Sequence, residues 1–225
     1  MTRSPRVLPR RKPRQSRAQA TCDVILTATA RVLIKDGYEA ASTNRIAQEA
    51  GVSIGSLYQY YPSKEGLVLA VLERYHAQGV AGVEAELVRL AEEPLPVVIK
   101  ALVRHVLATK AENPQLHRML VEQLPRLRQH SQVDPYTQRL FRLLRAFLEP
   151  RAREIRPSNL DMAVFVLVHA VEALTHAAVT DRPEYLNSEA FADELSELAL
   201  NYLRPEPAQA SAGRLRAVSS ASARR

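Results

Sequence analysis

Apolar residues in this 225-residue chain recur with the 3.6-residue period of an α-helix almost throughout, and no long stretch alternates like a β-strand. Glycine, which tight β-turns need, is scarce at 7 residues, where ordinary usage would give roughly 16. Prolines separate long amphipathic segments in the second half of the chain. The sequence therefore predicts an all-α fold, and its length suffices for a sizeable buried core.

Several classes of protein do not fit this sequence. The longest apolar run, Met162 to Val171, is about half of the ~20 residues that a bilayer span needs, so we predict no transmembrane helix. The single cysteine, Cys22, rules out an intramolecular disulfide; we interpret it as a small buried hydrophobe, with a redox switch as the alternative. The N-terminus lacks the apolar region of a secretory signal, although its arginine-rich, acid-free composition also occurs in transit peptides.

The net charge of +7 is concentrated at the two ends of the chain. Residues 1–17 carry seven basic residues and no acid, and residues 204–225 carry five arginines and one glutamate. The remaining body has 19 basic and 23 acidic residues and is mildly acidic. We predict a disordered basic arm over 1–15, suited to nucleic-acid phosphates, and a disordered tail over 204–225. A solvated arm that only aids solubility is the alternative.

Start and stop signals divide the chain into helices. Gly37 and Gly51 are the predicted C-terminal stops of the first two helices, and Ser53 and Ser63 are predicted N-caps. The predicted helices cover about 16–36, 43–50, 54–60, 63–91, 94–112, 113–127 (kinked or ended by Pro125), 135 to between 150 and 156, 159–180 and 188–203. They form a small N-terminal unit, residues 16–62, and a larger helical bundle, residues 63–203.

The stretch from Ser42 to Tyr61, STNRIAQEAGVSIGSLYQYY, predicts a short helix, a glycine-containing turn and a second short helix. This arrangement is the helix-turn-helix that reads DNA. Ile46, Val52 and Leu57 are spaced to close a small core beneath it. The outward positions of the second helix carry short donors and phenols, which suit a major groove: Ser53, Ile54, Gly55, Ser56, Tyr58, Gln59 and Tyr60.

The block TNRIAQEAGVSIGSLYQYYPSKEGL resembles the DNA-binding signature of the tetracycline-repressor-like (TetR) family of bacterial regulators, roughly T-x-x-I-A-x-x-A-G-V-S-x-G-x-L-Y-x-Y-F-x-S-K-x-x-L. Nearly every fixed position matches, and the main departure is Tyr61, where the family usually has Phe. With the first helix, including Ala30 and the Asp36-Gly37-Tyr38 element, the resemblance covers about a quarter of the chain.

The resemblance implies a cytoplasmic, two-fold symmetric dimer in which residues 54–60 of each subunit enter a major groove of double-stranded DNA. The positions implied as contacts are Thr43, Ser53, Ser56, Tyr58, Tyr60 and Lys64. Sequence preference would be tuned at Ile54, Gly55 and Gln59, where family members vary. The basic arm would lie along the DNA backbone or in the minor groove, through Arg10, Arg11, Lys12, Arg14 and Arg17.

For the body of the chain, the resemblance implies a domain that binds a small-molecule effector and dimerises through its last two helices. The helix over 159–180 is apolar nearly all round and that over 188–203 has one apolar stripe, which fits an interface. Ordinary core packing would also explain both. For each candidate pocket residue we favour plain core packing over a ligand contact, and the candidates are Leu102, His105, Met119, Gln123, Phe141, Phe165 and His169.

One set of potential metal ligands is visible on a single helix. His169, Glu172 and His176 share a face and could bind a metal, but we favour a polar seam at a dimer interface and predict no metal or other cofactor. No hydrolase, zinc-protease, P-loop or dinucleotide motif occurs, so we predict that the chain is not an enzyme.

Our leading hypothesis is a regulator that binds a palindromic operator as a homodimer and is released by a small-molecule effector. Repression is the usual outcome in the family, and activation is an alternative. A helical enzyme with a DNA-binding head is a second hypothesis. A nonspecific DNA binder driven by its basic ends is a third, which would show a steep salt dependence and no preferred site.

Overall fold

The computed structural model describes residues 16–127 and 135–205, with the side chains of 18–123 and 135–205, and these residues form helices joined by short turns without any strand. The all-α prediction is thereby confirmed for the described part of the chain. The predicted basic arm over 1–15, with Arg10, Arg11, Lys12 and Arg14, and nearly all of the predicted C-terminal tail lie outside the described residues, as does the side chain of Arg17.

Three helices form the N-terminal head: α1 (Ser16–Ala40), α2 (Thr43–Ala50) and α3 (Ile54–Tyr60). Gly37 interrupts α1 with φ 75° and ψ 171°, and one further helical turn follows it. The prediction that the first helix ends near Asp36 is therefore corrected: the chain kinks at Gly37 and resumes its helix as far as Ala40. A glycine is needed there because other residues rarely adopt a positive φ.

Local capping explains why α2 and α3 begin and end where they do. The Ser42 hydroxyl accepts a hydrogen bond from the Arg45 N–H at 3.2 Å, and the Ser53 hydroxyl accepts one from the Ser56 N–H at 3.1 Å. Gly51 is left-handed, with φ 65°, and closes α2. The serine hydroxyls satisfy N–H groups that have no partner inside the helix, and the Gly51 N–H donates to the carbonyls of Ala47 and Gln48, so these caps fix the turn between α2 and α3.

The body contains six further α-helices within the described ranges, and their bounds follow the predicted ones closely. Two short 3-10 turns, which the sequence analysis does not anticipate, follow α7 and α8, so that α7 ends at Leu148 rather than beyond Pro150. The body helices are α4 (Lys64–Arg89), α5 (Leu95–Glu112), α6 (Pro114–Leu127), α7 (Pro135–Leu148), α8 (Leu160–Asp181) and α9 (Glu189–Leu203), and the turns are Glu149–Arg151 and Pro183–Asn187. Helix α6 continues two residues past Pro125.

The core of the head extends into the body. Buried residues of α1, α2 and α3 pack against Leu67 and Val71 on α4 and against Met119 and Leu120 on α6. A second core joins α5, α8 and α9, and a third lies between α4 and α5. Helix α6 also touches α8, because Arg118 donates a hydrogen bond to the carbonyl of Val179 at 2.7 Å. The head is thus connected to the helices of the second core through α6.

Candidate nucleic-acid interface and ligand cavity

The helix-turn-helix rests on a small apolar core. Ile46 and Leu57 are fully buried, Ala47 is 3% exposed where α2 meets its neighbours, and Val52 packs against the same cluster. This is the arrangement that the sequence spacing predicts. It holds α3 by one side only, so that the opposite side of this seven-residue helix faces solvent.

The outward face of α3 is polar and exposed. Ile54 and Tyr58 are 37% and 42% exposed, and Ser53, Gly55 and Gln59 are also exposed. A Cβ placed on Gly55 would meet nothing closer than the Ser53 hydroxyl, 4.0 Å away. The fold itself therefore does not require glycine at this position.

Hydrogen bonds orient several of the predicted contact residues. The hydroxyls of Thr43 and Tyr58 lie 2.9 Å apart and join α2 to α3. The hydroxyls of Ser53 and Ser56 lie 2.8 Å apart at the start of α3. Tyr60 is half-buried and packs against the head core, so it presents less of its ring to solvent than the sequence pattern indicates. The phenol of Tyr58 is the large polar group that α3 extends outward.

Lys64, at the first turn of α4, has an intramolecular partner. Its ammonium donates a hydrogen bond to the Tyr38 carbonyl at 2.9 Å and lies 4.3 Å from the centre of the Tyr38 ring. The carbonyl, one residue after the kink at Gly37, offsets the unfavourable position of a cation at a helix N-terminus. Contact between Lys64 and a DNA phosphate stays a prediction.

Tyr61, which stands where the resembled signature usually has Phe, has a hydrogen-bond partner for its hydroxyl. Tyr61 and Cys22 are both about 5% exposed, and a hydrogen bond joins the phenol to the thiol. Burial raises the pKa of the Cys22 thiol above its usual value, so the thiol stays protonated at neutral pH. Cys22 is therefore the small buried residue of the favoured interpretation, and its thiol gives the Tyr61 hydroxyl the partner that a buried phenol needs.

An apolar cavity lies between α4, α5, α7 and α8 in the body. Its empty volume is about 800 Å³, a figure that includes open solvent at its mouth. Among the described residues that line it, Glu172 is the one that carries a charge. The walls are formed by Val83, Ile99, Leu102, Val103, Val106, Leu140, Leu144, Phe147, Leu148, Val164, Leu167, Val168, Val171, Glu172 and Ala199.

Of the seven predicted pocket residues, Leu102 lines this cavity and the other six lie elsewhere. Met119 packs in the head core, and the His105 ring lies against α4, with Nε2 3.3 Å from the Gly79 carbonyl. Gln123 lies on α6, and its buried side-chain carbonyl oxygen has no hydrogen-bond partner among the described residues. The remaining three form an aromatic group on α7 and α8, in which the rings of Phe165 and His169 stack at 4.1 Å and Phe141 lies beside them.

Glu172 also belongs to a polar cluster, which we define as Tyr75, Lys110, His117, Glu172 and His176 and of which Lys110 and His117 are the buried members. The Lys110 ammonium donates to Glu172 Oε1 at 2.8 Å and to His117 Nε2 at 3.4 Å. The other ring nitrogen of His117 lies 3.1 Å from the Tyr75 hydroxyl, and His176 Nδ1 lies 3.4 Å from His117 Nε2. The cluster therefore connects α4, α5, α6 and α8.

Burial sets the charges of this polar cluster. Lys110 is 4% exposed and His117 is 2% exposed. Burial, together with the Lys110 ammonium, lowers the pKa of His117 to about 4, so the imidazole is neutral at pH 7. Burial also lowers the pKa of Lys110, whereas Glu172 acts to raise it. For Glu172, the raising effect of burial is outweighed by Lys110, and its pKa is held below the usual value.

The three candidate metal ligands on α8 go to separate partners. His169 Nδ1 donates to the Phe165 carbonyl at 2.8 Å, Glu172 pairs with Lys110, and His176 faces His117. In the described ranges, no three histidine, cysteine, aspartate or glutamate side chains are grouped so that they could hold a metal. Sequence analysis missed Lys110 and His117. The available signal was that Lys110 continues the apolar stripe of Ile99, Val103 and Leu107 at helical spacing.

Helix α8 exposes a long apolar face. Met162 and Phe165 are 61% and 55% exposed, and Val166 and Leu174 are 38% and 39% exposed. Within residues 16–127 and 135–205, α8 is the one helix long and apolar enough to cross a membrane by length and composition, a property shared by core helices of other proteins. The prediction of no such helix rests on the longest uninterrupted apolar run, which ends at Glu172, whereas α8 continues with mostly apolar residues beyond that single charge.

Two family models match the chain. Residues 25–71 match that of bacterial regulatory proteins of the tetR family, and residues 94–203 match the tetracyclin repressor-like C-terminal domain. Together they cover more than two thirds of the sequence.

Individual relatives agree with these matches. The chain is 31% identical to the nucleoid occlusion factor SlmA of Actinobacillus pleuropneumoniae serotype 5b (strain L20) over 86 residues, 38% of this chain and 42% of that protein. It is 44% identical to the transcriptional repressor KstR of Mycolicibacterium smegmatis over 50 residues, 22% of this chain and 24% of that protein. The matches thus span less than half the length of these curated relatives.

A solved structure extends the similarity to the whole fold. FadR of Thermus thermophilus, described as a TetR-family transcriptional repressor in complex with lauroyl-CoA, superposes with a TM-score of 0.59 at 25% identity, covering 83% of this chain and 98% of that one. With the helix-turn-helix geometry and both family matches, the chain belongs to the tetR family of bacterial regulatory proteins, which are DNA-binding transcription regulators.

Proposed function

We propose that this regulator is a cytoplasmic repressor that binds a palindromic operator as a homodimer and is released by a small-molecule effector. The observation that carries the proposal is the outward face of α3, which is polar, exposed and oriented by its own hydrogen bonds. A helix held from behind by Leu57 and open in front is suited to enter a major groove.

The proposed DNA contacts follow from this placement. Tyr58 and Ser53 offer hydroxyls to phosphates and base edges, and the space at Gly55 permits close approach of the backbone. The full set is Thr43, Ser53, Ile54, Gly55, Ser56, Tyr58, Gln59, Tyr60 and Lys64, with Arg10, Arg11, Lys12, Arg14 and Arg17 as the basic arm. An arm with this charge adds affinity that does not depend on sequence and falls with salt.

The proposed dimer uses the exposed face of α8 together with α9. Contiguous exposed hydrocarbon on a soluble protein marks an interaction site, and a second copy would cover Met162, Phe165 and Val166. Leu198, 43% exposed on α9, adds to that surface. A two-fold dimer would place two copies of α3 for successive major grooves, ~34–36 Å apart.

The proposed effector occupies the apolar cavity. Its hydrocarbon walls suit a ligand with a long apolar part, and the lauroyl-CoA bound by the FadR of Thermus thermophilus supports that class. Helix α6 offers a route to the head, because Met119 and Leu120 lie in the head core and Arg118 binds the end of α8. An effector that favours a different α3 spacing would lower operator affinity, typically by ~1–3 kcal/mol.

The test is selection of bound fragments from the source genome with the full-length protein at ~150 mM salt. We expect enrichment of a short palindrome by the wild type. Tyr58→Phe should weaken binding to that palindrome by ~1–3 kcal/mol if its hydroxyl contacts DNA. The matched control is Tyr185→Phe, because Tyr185 is 43% exposed but lies far along the chain in the turn before α9.

Two results would contradict the proposal. Uniform capture of all fragments, with a steep salt dependence and no effect of Tyr58→Phe, would indicate a nonspecific binder that acts through its basic ends. A palindrome whose neighbouring gene is transcribed less in a deletion strain would indicate an activator.

A further inference from the structure

One end of the cavity is charged, whereas the rest of its wall is hydrocarbon. This charged end indicates which head group a ligand would carry. Glu172 is the charged residue among the described lining residues, and its carboxylate is paired with the ammonium of Lys110, which is not part of the lining. The following inference rests on the proposed function, since it assumes that the effector occupies this cavity.

Lys110 is the fixed member of the ion pair. Its side chain is 4% exposed, and it is held from behind by the neutral imidazole of His117 at 3.4 Å. His117 is in turn fixed by the Tyr75 hydroxyl at 3.1 Å. A buried ammonium needs an anion beside it, because an uncompensated buried charge is strongly destabilising. The position next to Lys110 that faces the cavity must therefore hold a negatively charged oxygen.

Glu172 is the replaceable member of the ion pair. In the single chain its side chain is 56% exposed, in contrast to the lysine that it contacts. If the Glu172 side chain rotates away from Lys110, its carboxylate can be hydrated at the open mouth of the cavity, whereas Lys110 cannot follow it out of the core. Any other carboxylate that enters through the cavity can then satisfy Lys110 in its place, and the net charge beside the lysine is unchanged.

We propose that the ligand is a fatty-acid-like monocarboxylate, with its chain along the apolar walls and its carboxylate on Lys110 in the place of Glu172. Because the Lys110 partner His117 also contacts Tyr75 on α4 and precedes Arg118 on α6, exchange of the carboxylate alters the helices that support the head. A ligand with a neutral head would instead leave the Lys110–Glu172 pair intact.

The test measures the affinity of the full-length protein by calorimetry for dodecanoate, 1-dodecanol and lauroyl-CoA. We expect the wild type to prefer dodecanoate to dodecanol. Glu172→Gln removes the competing anion and keeps a side chain of the same shape, so dodecanoate should bind more tightly, by roughly tenfold. Lys110→Met should abolish the preference for the carboxylate, and circular dichroism checks that this variant is folded.

Glu172→Gln decides the question even if Lys110→Met fails to fold. Weaker binding of dodecanoate to Glu172→Gln would overturn the proposal, as would a preference of the wild type for dodecanol or for the thioester of lauroyl-CoA. Operator binding is measured on the same samples. Absence of specific operator binding by the wild type would contradict the proposed function. Specific operator binding without dodecanoate binding would contradict the ligand assignment alone.

Discussion

Helices α3 and α8 both present exposed faces, but the chemistry of the two faces is opposite. The seven residues of α3 expose hydroxyls, an amide, a gap at Gly55 and one apolar side chain, Ile54, while Leu57 on the opposite side is fully buried. The 22 residues of α8 show hydrocarbon at Met162 and Phe165 while also contributing buried residues to the second core. One face is suited to a charged, hydrated partner, and the other to a surface like itself.

The comparison shows that exposure alone does not define an interface. The face of α3 keeps its polar groups hydrogen-bonded to one another, so it is stable in water and can exchange those bonds for contacts with DNA. The face of α8 has no such arrangement, and it gains free energy from any cover that excludes water. We therefore expect the α8 face to be covered permanently and the α3 face to be covered only at the operator.

The largest effect should come from removing the support of α3. Leu57→Ala should lower the free energy of unfolding by ~2–5 kcal/mol, because it leaves a cavity under a fully buried position. Urea unfolding measures this, and Leu57→Met, which nearly conserves volume, is the control with a loss below ~1.5 kcal/mol. Equal stability of Leu57→Ala and the wild type would show that α3 does not depend on this core.

A charge on the α8 face should weaken the dimer. Phe165→Glu places a carboxylate where we expect a partner subunit, and we predict a loss of ~2–4 kcal/mol in association. Sedimentation equilibrium measures the change. Val88→Glu is the matched control, since Val88 is 73% exposed on α4 and should tolerate the charge. If both variants dimerise like the wild type, the α8 face is not the interface.

Acid should lower the free energy of unfolding through His117, which lies in the polar cluster. Its folded-state pKa of about 4 is below the ordinary 6.5, so the unfolded chain takes up a proton that the folded chain refuses. The stabilisation is complete above pH 6.5 and is lost as the pH falls toward 4. Between pH 7.5 and 5 we expect a loss of ~1–2 kcal/mol that His117→Gln lacks. An identical acid dependence of the two proteins would refute this origin.

The smallest expected effects come from alanine substitutions at Gly51 and Gly55 in the head, which should differ in stability and in operator affinity. Gly51→Ala should destabilise the fold by ~1 kcal/mol, because φ is +65° there. Gly55→Ala sits in the helix with space around it and should leave the stability equal or raise it slightly. Only Gly55→Ala should reduce operator affinity beyond its effect on folding. Unfolding curves and operator titrations of both variants make the comparison.

The difference between the two faces also explains what the sequence could predict. The bounds of α2 and α3 depend on Ser42, Gly51 and Ser53, whose effects act within four residues, so they are readable without a structure. The polar cluster depends on how the chain reverses between α5 and α6 at Asn113. It also depends on the packing of α8 against α5, since Lys110 and Glu172 are 62 residues apart in the sequence. Which helical turns line the cavity is likewise decided by tertiary packing, and of the seven residues that the sequence predicts for a pocket, Leu102 is the one that lines it.

Met119 and Leu120 have a consequence for how the molecule unfolds. Because α6 supplies part of the core beneath the helix-turn-helix, the head and the body share one cooperative unit, and a fragment that ends at residue 62 would expose that core to water. Denaturation should accordingly follow a single transition for both. By mass action, an effector that binds only the folded chain then raises the melting temperature of the head as well. The same molecule that releases the operator would thus protect the DNA-reading helix from unfolding.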